Sequence, residues 1–256
     1  MASRSRKSVP GEDATKEGDR EAIRGKSELK WWLIYGPPRT GTSYMLRLVR
    51  TCSVLYVSDW GLAPILVPIP NWLDLRSSPE FDYIKFDTER FLRDISDNIL
   101  ANAYRGEGDQ LDLVYKQANL DSMQYRVFVK MWGPPERRIF CLREPAGYIA
   151  SARKKFVHES LDRLQEMYVT SIDRYEGIGG DVFEYNPESS VSDYVSFLEP
   201  LNFEGKHIPP FHYKGQCDRE LTRQDMWVAY RRLAESHSYQ AKPCSPADVG
   251  SMLDPP

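Results

Sequence analysis

The chain has 256 residues and a formal net charge of -3. That length suits one full α/β domain with additions, and the near-neutral balance excludes a broad field for nucleic acid or membrane surfaces. No apolar run reaches the ~18 residues of a membrane span. The four cysteines, Cys52, Cys141, Cys217 and Cys244, show no CxxC or Cys/His spacing. Neither zinc nor a disulfide framework is therefore expected, and a reducing, cytoplasmic setting follows.

Residues 1–28 mix charges and carry no apolar h-region, which predicts a loosely ordered leader, not a secretory signal. Frequent acidic residues argue against a transit peptide. The domain is expected over 29–237, with a loose Pro-rich tail over 238–256. Residues 33–35 (LIY) end a buried strand. From Thr42, the apolar Met45, Leu46, Leu48 and Val49 fall at helical spacing to about position 51. Residues 53–58 (SVLYVS) form a short strand, and 63–69 (APILVPI), broken by Pro64 and Pro68, form a loop or wall segment. Residues 87–104 place Phe91, Leu92, Ile95, Ile99, Leu100 and Tyr104 on one helical face. A turn follows at RGEGDQLD. The pattern then predicts strands over 126–131 (RVFVKM) and 138–142 (RIFCL), and a helix from Ala146. A second helix is expected over 158–175, a strand over 181–185, and helices over 191–201 and 222–236. Strands alternating with helices predict a parallel sheet covered on both faces, a three-layer P-loop-type α/β fold.

The link from the first strand to the first helix is Gly36-Pro37-Pro38-Arg39-Thr40-Gly41. A strand, a tight Gly-containing loop and a helix aim backbone N–H groups and a helix N-terminus at one point, where an anion fits. Gly36, Gly41 and Ser43 match the spacing of the nucleotide-binding GxxxxGK[ST] loop. Thr42, however, occupies the slot of the lysine that reaches the β/γ-phosphates, and the cation in the loop is Arg39.

The run Pro38-Arg39-Thr40-Gly41-Thr42-Ser43-Tyr44 resembles the 5′-phosphosulfate loop of sulfotransferases, P-[KR]-[ST]-G-[TS]-[TS]. These enzymes use 3′-phosphoadenosine-5′-phosphosulfate (PAPS) and release 3′-phosphoadenosine-5′-phosphate (PAP). Leu142-Arg143-Glu144-Pro145, with Ser151 eight residues after the arginine, is similar to the family's 3′-phosphate motif L-x-R-x-P…S, except that the arginine follows leucine directly. An arginine at a strand end and a serine in the next helix supply the bidentate cation and hydroxyl that a 3′-phosphate needs. Lys214, in Tyr213-Lys214-Gly215-Gln216 before the last helix, is a further 3′-phosphate candidate.

The resemblance implies a sulfotransferase-like fold and transfer of a sulfuryl group to a hydroxylated small molecule, an alcohol or phenol. It requires no metal, and it allows a homodimer. The K-T-H segment of many members is aligned with Lys130-Met131-Trp132, which keeps the lysine and has tryptophan for the histidine. The general base is therefore assigned to Asp59, in a segment that resembles the G-E-T-R-x-I-P stretch of members with an acidic base; His212 is the reserve. Arg39 and Lys130 are expected to stabilise the sulfuryl oxygens and the leaving 5′-phosphate. Tyr44 is expected to offer a face to adenine. Trp60, Trp72, Trp132 and the 63–69 stretch are candidate walls of an acceptor pocket. The rival readings are a P-loop kinase of a small molecule and a non-catalytic nucleotide-binding relative.

Overall fold

A computed structural model describes residues 30–50, 55–58, 87–103, 112–185 and 217–236, together with Ile69 and Leu198. Five strands are described: β1 (Lys30–Gly36), β2 (Leu55–Ser58), β3 (Asp112–Ala118), β4 (Arg137–Leu142) and β5 (Asp181–Glu184). They form one sheet in the order β2-β3-β1-β4-β5, and every pair is parallel. The described helices are α1 (Thr42–Arg50), α2 (Thr88–Ala103), α3 (Ser122–Trp132), α4 (Pro145–Lys155), α5 (Leu161–Ile178) and α6 (Gln224–Ser236).

A parallel sheet needs helical crossovers, so both of its faces are covered and its central strand carries a near-continuous apolar run. The sequence of β1, KWWLIYG, shows this: Trp31, Leu33 and Tyr35 point to one face, and Trp32 and Ile34 to the other. The first set packs against α3, α4, α5 and α6 through Phe128, Ile149, Tyr168 and Tyr230. The second packs against α1 through Met45, Leu48 and Val49. The three-layer α/β fold is thus the one expected.

Two expectations near the middle of the chain are corrected. Residues 126–131 are not a strand but lie within α3. Their β-branched and aromatic residues favour extended structure, yet Val127, Phe128 and Trp132 are buried while Arg126 and Lys130 are exposed, which is a helical stripe. The ends decide it. Asp121 and Gln124 form a reciprocal capping box at the start, and the Gly133 N–H bonds to Val129 O at the close. The strand that enters the sheet there is β3, a stretch where no strand was expected. Its polar end, Lys116-Gln117, is buried and hides the apolar Leu113-Val114-Tyr115 run from a pattern search.

Helix α5 begins at Leu161, not at His158, because the Ser160 hydroxyl caps it by accepting from Arg163 N at 3.2 Å. The expected features at 63–68, 191–197 and 199–201, the leader and the tail lie outside the described residues. Cys217 is disulfide-bonded, contrary to the expectation from cysteine spacing. The support that isolated thiols lent to a reducing compartment falls away. Among the described residues no helix is long and apolar enough to cross a membrane.

Candidate functional site

The strand order reverses at β1: the chain leaves β1 toward β3 and β2, then returns to add β4 and β5 on the other side. In open parallel sheets the crevice beyond the carboxyl ends of the strands flanking such a reversal is where ligands bind. Here those strands are β1 and β4. The segments that leave them are the Pro37–Gly41 loop and Arg143-Glu144, so both sequence motifs reach one crevice.

The loop is shaped from its ends inward. Gly36 has φ +137, and a Cβ there would lie 2.4 Å from Cys141 O, so the ends of β1 and β4 approach too closely for any side chain. Thr40 is fully buried, and its hydroxyl donates to Pro37 O at 2.6 Å, closing the turn. Gly41 has φ +95, and its carbonyl accepts from Met45 N at 2.9 Å as the first bond of α1. The remaining N–H groups of the first turn of α1 have no partner within the helix, which favours an anion there. Arg39 is held at φ 73, a left-handed conformation uncommon outside glycine. Its side chain crosses the crevice, and Nε donates to Ser151 Oγ at 3.2 Å.

The second anchor is held from behind. Arg143 leaves the end of β4 and is buried. Its carbonyl accepts from Tyr168 OH at 2.7 Å, and its Nη1 lies 3.5 Å from Arg39 O. Glu144 turns the other way and caps α4, its carboxylate accepting from Ala146 N at 3.0 Å and Gly147 N at 2.5 Å. Burial pushes the Glu144 carboxyl above the usual range, against the pull of those two N–H groups and of Arg143 and Arg219. Cys217 Sγ lies 3.6 Å from Glu144 Oε1. Asp218 N bonds to Ala146 O at 3.2 Å, and its carboxylate pairs with Arg153 at 3.3 Å, so residues 217–218 are fastened to α4.

Arg39, Arg143 and Ser151 are thus brought together, as are the backbone atoms of Pro38, Thr40, Gly41, Thr42 and Ser43. The Thr40 hydroxyl is committed to its own loop, while Ser43 is exposed at the start of α1. Tyr44 is buried in the α1 face of the sheet, its ring meeting Tyr185 edge-on at 5.9 Å. Lys130 is not brought to the crevice. It is exposed on the last turn of α3, and the Gly133–Glu136 link that follows bonds to Trp31, at the beginning of β1, the opposite edge of the sheet. Trp132 is a core residue that donates to Ser96 Oγ at 2.9 Å, so it lines no pocket. Asp59, Trp60, Trp72, His212 and Lys214 lie outside the described residues; β2, which precedes Asp59, ends at Ser58.

Two residues at this edge escape the motif search. Lys116 is buried on β3, in register with Ile34 of β1 and Ser58 of β2. Burial raises the Cys141 thiol, and the Lys116 ammonium opposes that shift, so its charge acts on the end of β4. A lysine closing an apolar strand is its only sequence signal, and it is visible only once β3 is recognised. Tyr185, the residue after β5, has no motif around it. Among the described residues no group of three or more His, Cys, Asp or Glu could hold a metal ion.

No family model and no curated protein matches the chain. Among solved structures it is similar to a sulfotransferase domain from the Synechococcus PCC 7002 olefin synthase. The identity is 14%, with 85% of this chain and 98% of that one covered, and the TM-score is 0.41. A likeness at that level identifies neither donor nor acceptor, and the fold stands on the sheet's own topology.

Proposed function

We propose that this chain is a PAPS-dependent sulfotransferase that moves a sulfuryl group to a hydroxyl of a small alcohol or phenol. The observation that carries the reading is the contact between Arg39 and Ser151, 112 residues apart in the chain. Two motifs resembling the family's two phosphate anchors meet at one crevice, at the reversal of the strand order. Two guanidinium-bearing segments and a hydroxyl gathered beside a helix N-terminus fit a donor with two separate phosphate groups. Of the buried carboxylates described at this end of the sheet, Glu144 is turned into the N-terminus of α4, and Glu184 accepts from the Tyr230 hydroxyl.

PAPS supplies an activated sulfuryl group. The chain's residues hold and orient it. Backbone N–H groups from Thr40 to Ser43 take the 5′-phosphate, with Arg39 offsetting charge on the leaving oxygens. Arg143 and Ser151 take the 3′-phosphate, with Lys214 as a further cation. Lys116, not Lys130, is the lysine at the sheet's active edge and takes over the part assigned to Lys130. Asp59, just beyond the end of β2, removes the acceptor's proton.

Calorimetric titration with PAP beside ATP–magnesium, with Arg143→Ala as control, tests the reading. PAP is expected to bind preferentially, and Arg143→Ala is expected to weaken it at least about tenfold, as loss of a charge-assisted bond worth ~1.5–3 kcal/mol requires. Tight ATP binding indifferent to a 3′-phosphate would move the chain to the kinases.

A further inference from the structure

We infer that Tyr185 is a positioning residue: its ring holds the Arg143 guanidinium against the Gly41 turn and so sets the span between the two phosphate anchors. The inference rests on the PAPS reading and deepens it. Tyr185 follows β5 directly, and its N–H donates to Leu142 O at 2.7 Å, which extends the β4–β5 ladder by one residue and fixes where the ring leaves the sheet.

Three contacts then converge on that ring. A Cβ added to Gly41 would lie 2.5 Å from Tyr185 Cδ2, so the ring lies directly on the glycine of the loop. The Tyr44 ring, on the first turn of α1, meets it at 5.9 Å and 68°. The Arg143 guanidinium carbon lies 5.6 Å from the ring centroid, within the range of a cation–π contact. One side chain thus touches the 5′ loop, the helix that loop feeds and the arginine of the second anchor.

A packing role alone would need only apolar volume above Gly41. The guanidinium needs more. A long side chain at a strand end has several rotamers, and an aromatic face with its negative quadrupole favours the one that lies over it. Arg143 then presents its planar fork without losing that rotamer freedom on binding, which raises affinity for a phosphate. The effect should be selective: it concerns the group that Arg143 holds and not the group in the loop.

The test compares PAP with adenosine 5′-phosphate, which lacks the 3′-phosphate, on the wild type, Tyr185→Phe, Tyr185→Leu and Tyr185→Met. Wild type that prefers PAP establishes the underlying reading. Tyr185→Phe keeps the ring and is expected to keep that preference. Tyr185→Leu is expected to weaken PAP about three- to tenfold more than adenosine 5′-phosphate, the size of a partly desolvated cation–π contact. Tyr185→Met covers Gly41 without a π face, serves if the leucine variant does not fold, and should behave as leucine does. Equal weakening of both nucleotides, or unchanged PAP binding in both ring-less variants, would overturn the positioning role while leaving the donor assignment standing. Wild type indifferent to the 3′-phosphate would overturn both.

Discussion

Gly36 shows how a single position makes the crevice. Its Cα sits where the ends of β1 and β4 converge, and the first atom of any side chain would strike the Cys141 backbone. The obstruction is backbone and cannot swing aside. Gly36→Ala should therefore cost about 1–3 kcal/mol of stability, as overpacking does, with the backbone strain of a positive φ in addition. Urea unfolding should show a lower midpoint with an unchanged slope. Unimpaired stability would mean that β1 and β4 can separate at this edge. The spacing of Gly36 and Gly41 was legible in the sequence because a tight strand-to-helix loop depends on local backbone geometry. Tyr185 was not, because its partners come from three separated segments.

Among the elements, α3 is the one that sequence pattern misassigned. RVFVKM has strand composition, but its neighbours at 121–124 make a capping box and Gly133 ends the helix. Asp121→Ala removes the acceptor for Gln124 N, a bond of 2.7 Å. It should destabilise the protein by ~1 kcal/mol, the usual cost of losing a side-chain N-cap. Chemical denaturation would measure it, and an amide-exchange experiment would locate the added fraying in the first turn of α3. A loss spread evenly over the molecule would count against a local capping role. The same assignment moved the lysine. With 126–131 helical, Lys130 falls toward the beginning of the sheet, and the buried lysine of β3, opposite Ile34, is Lys116.

The pH dependence of folding is a property of the whole molecule, and Glu144 contributes to it because five structural parts meet there: β4, α4, α5, the 217–221 stretch and α6. Arg143, Arg219, Tyr168 and Tyr230 all act electrostatically on or with it. Burial raises its folded pKa above the ordinary carboxylate value, so the folded state binds the proton more tightly than the unfolded chain does. That contribution is complete below the unfolded value of ~4.3 and is lost as pH rises through the raised folded value. Wild-type stability relative to Glu144→Gln should consequently fall as pH rises above the ordinary carboxylate value of about 4.3. Urea unfolding of both proteins at rising pH would show it. Parallel profiles would mean that Glu144 stays ionised in its cap.

Local rules let the sequence alone determine the class of fold, the glycine-bounded loop after β1 and the turn that leaves β4 with its arginine and serine. Strand, turn and helix signals and the two short motifs lie within stretches of about ten residues, where backbone geometry is decided by neighbours. Only the tertiary structure decided that β3 and not 126–131 enters the sheet, that Arg39 reaches Ser151, and that Tyr185 lies against both Gly41 and Arg143. Each of these depends on residues far apart in the chain meeting at the reversal point of a parallel sheet, where the order of strands, not the order of residues, sets who is adjacent.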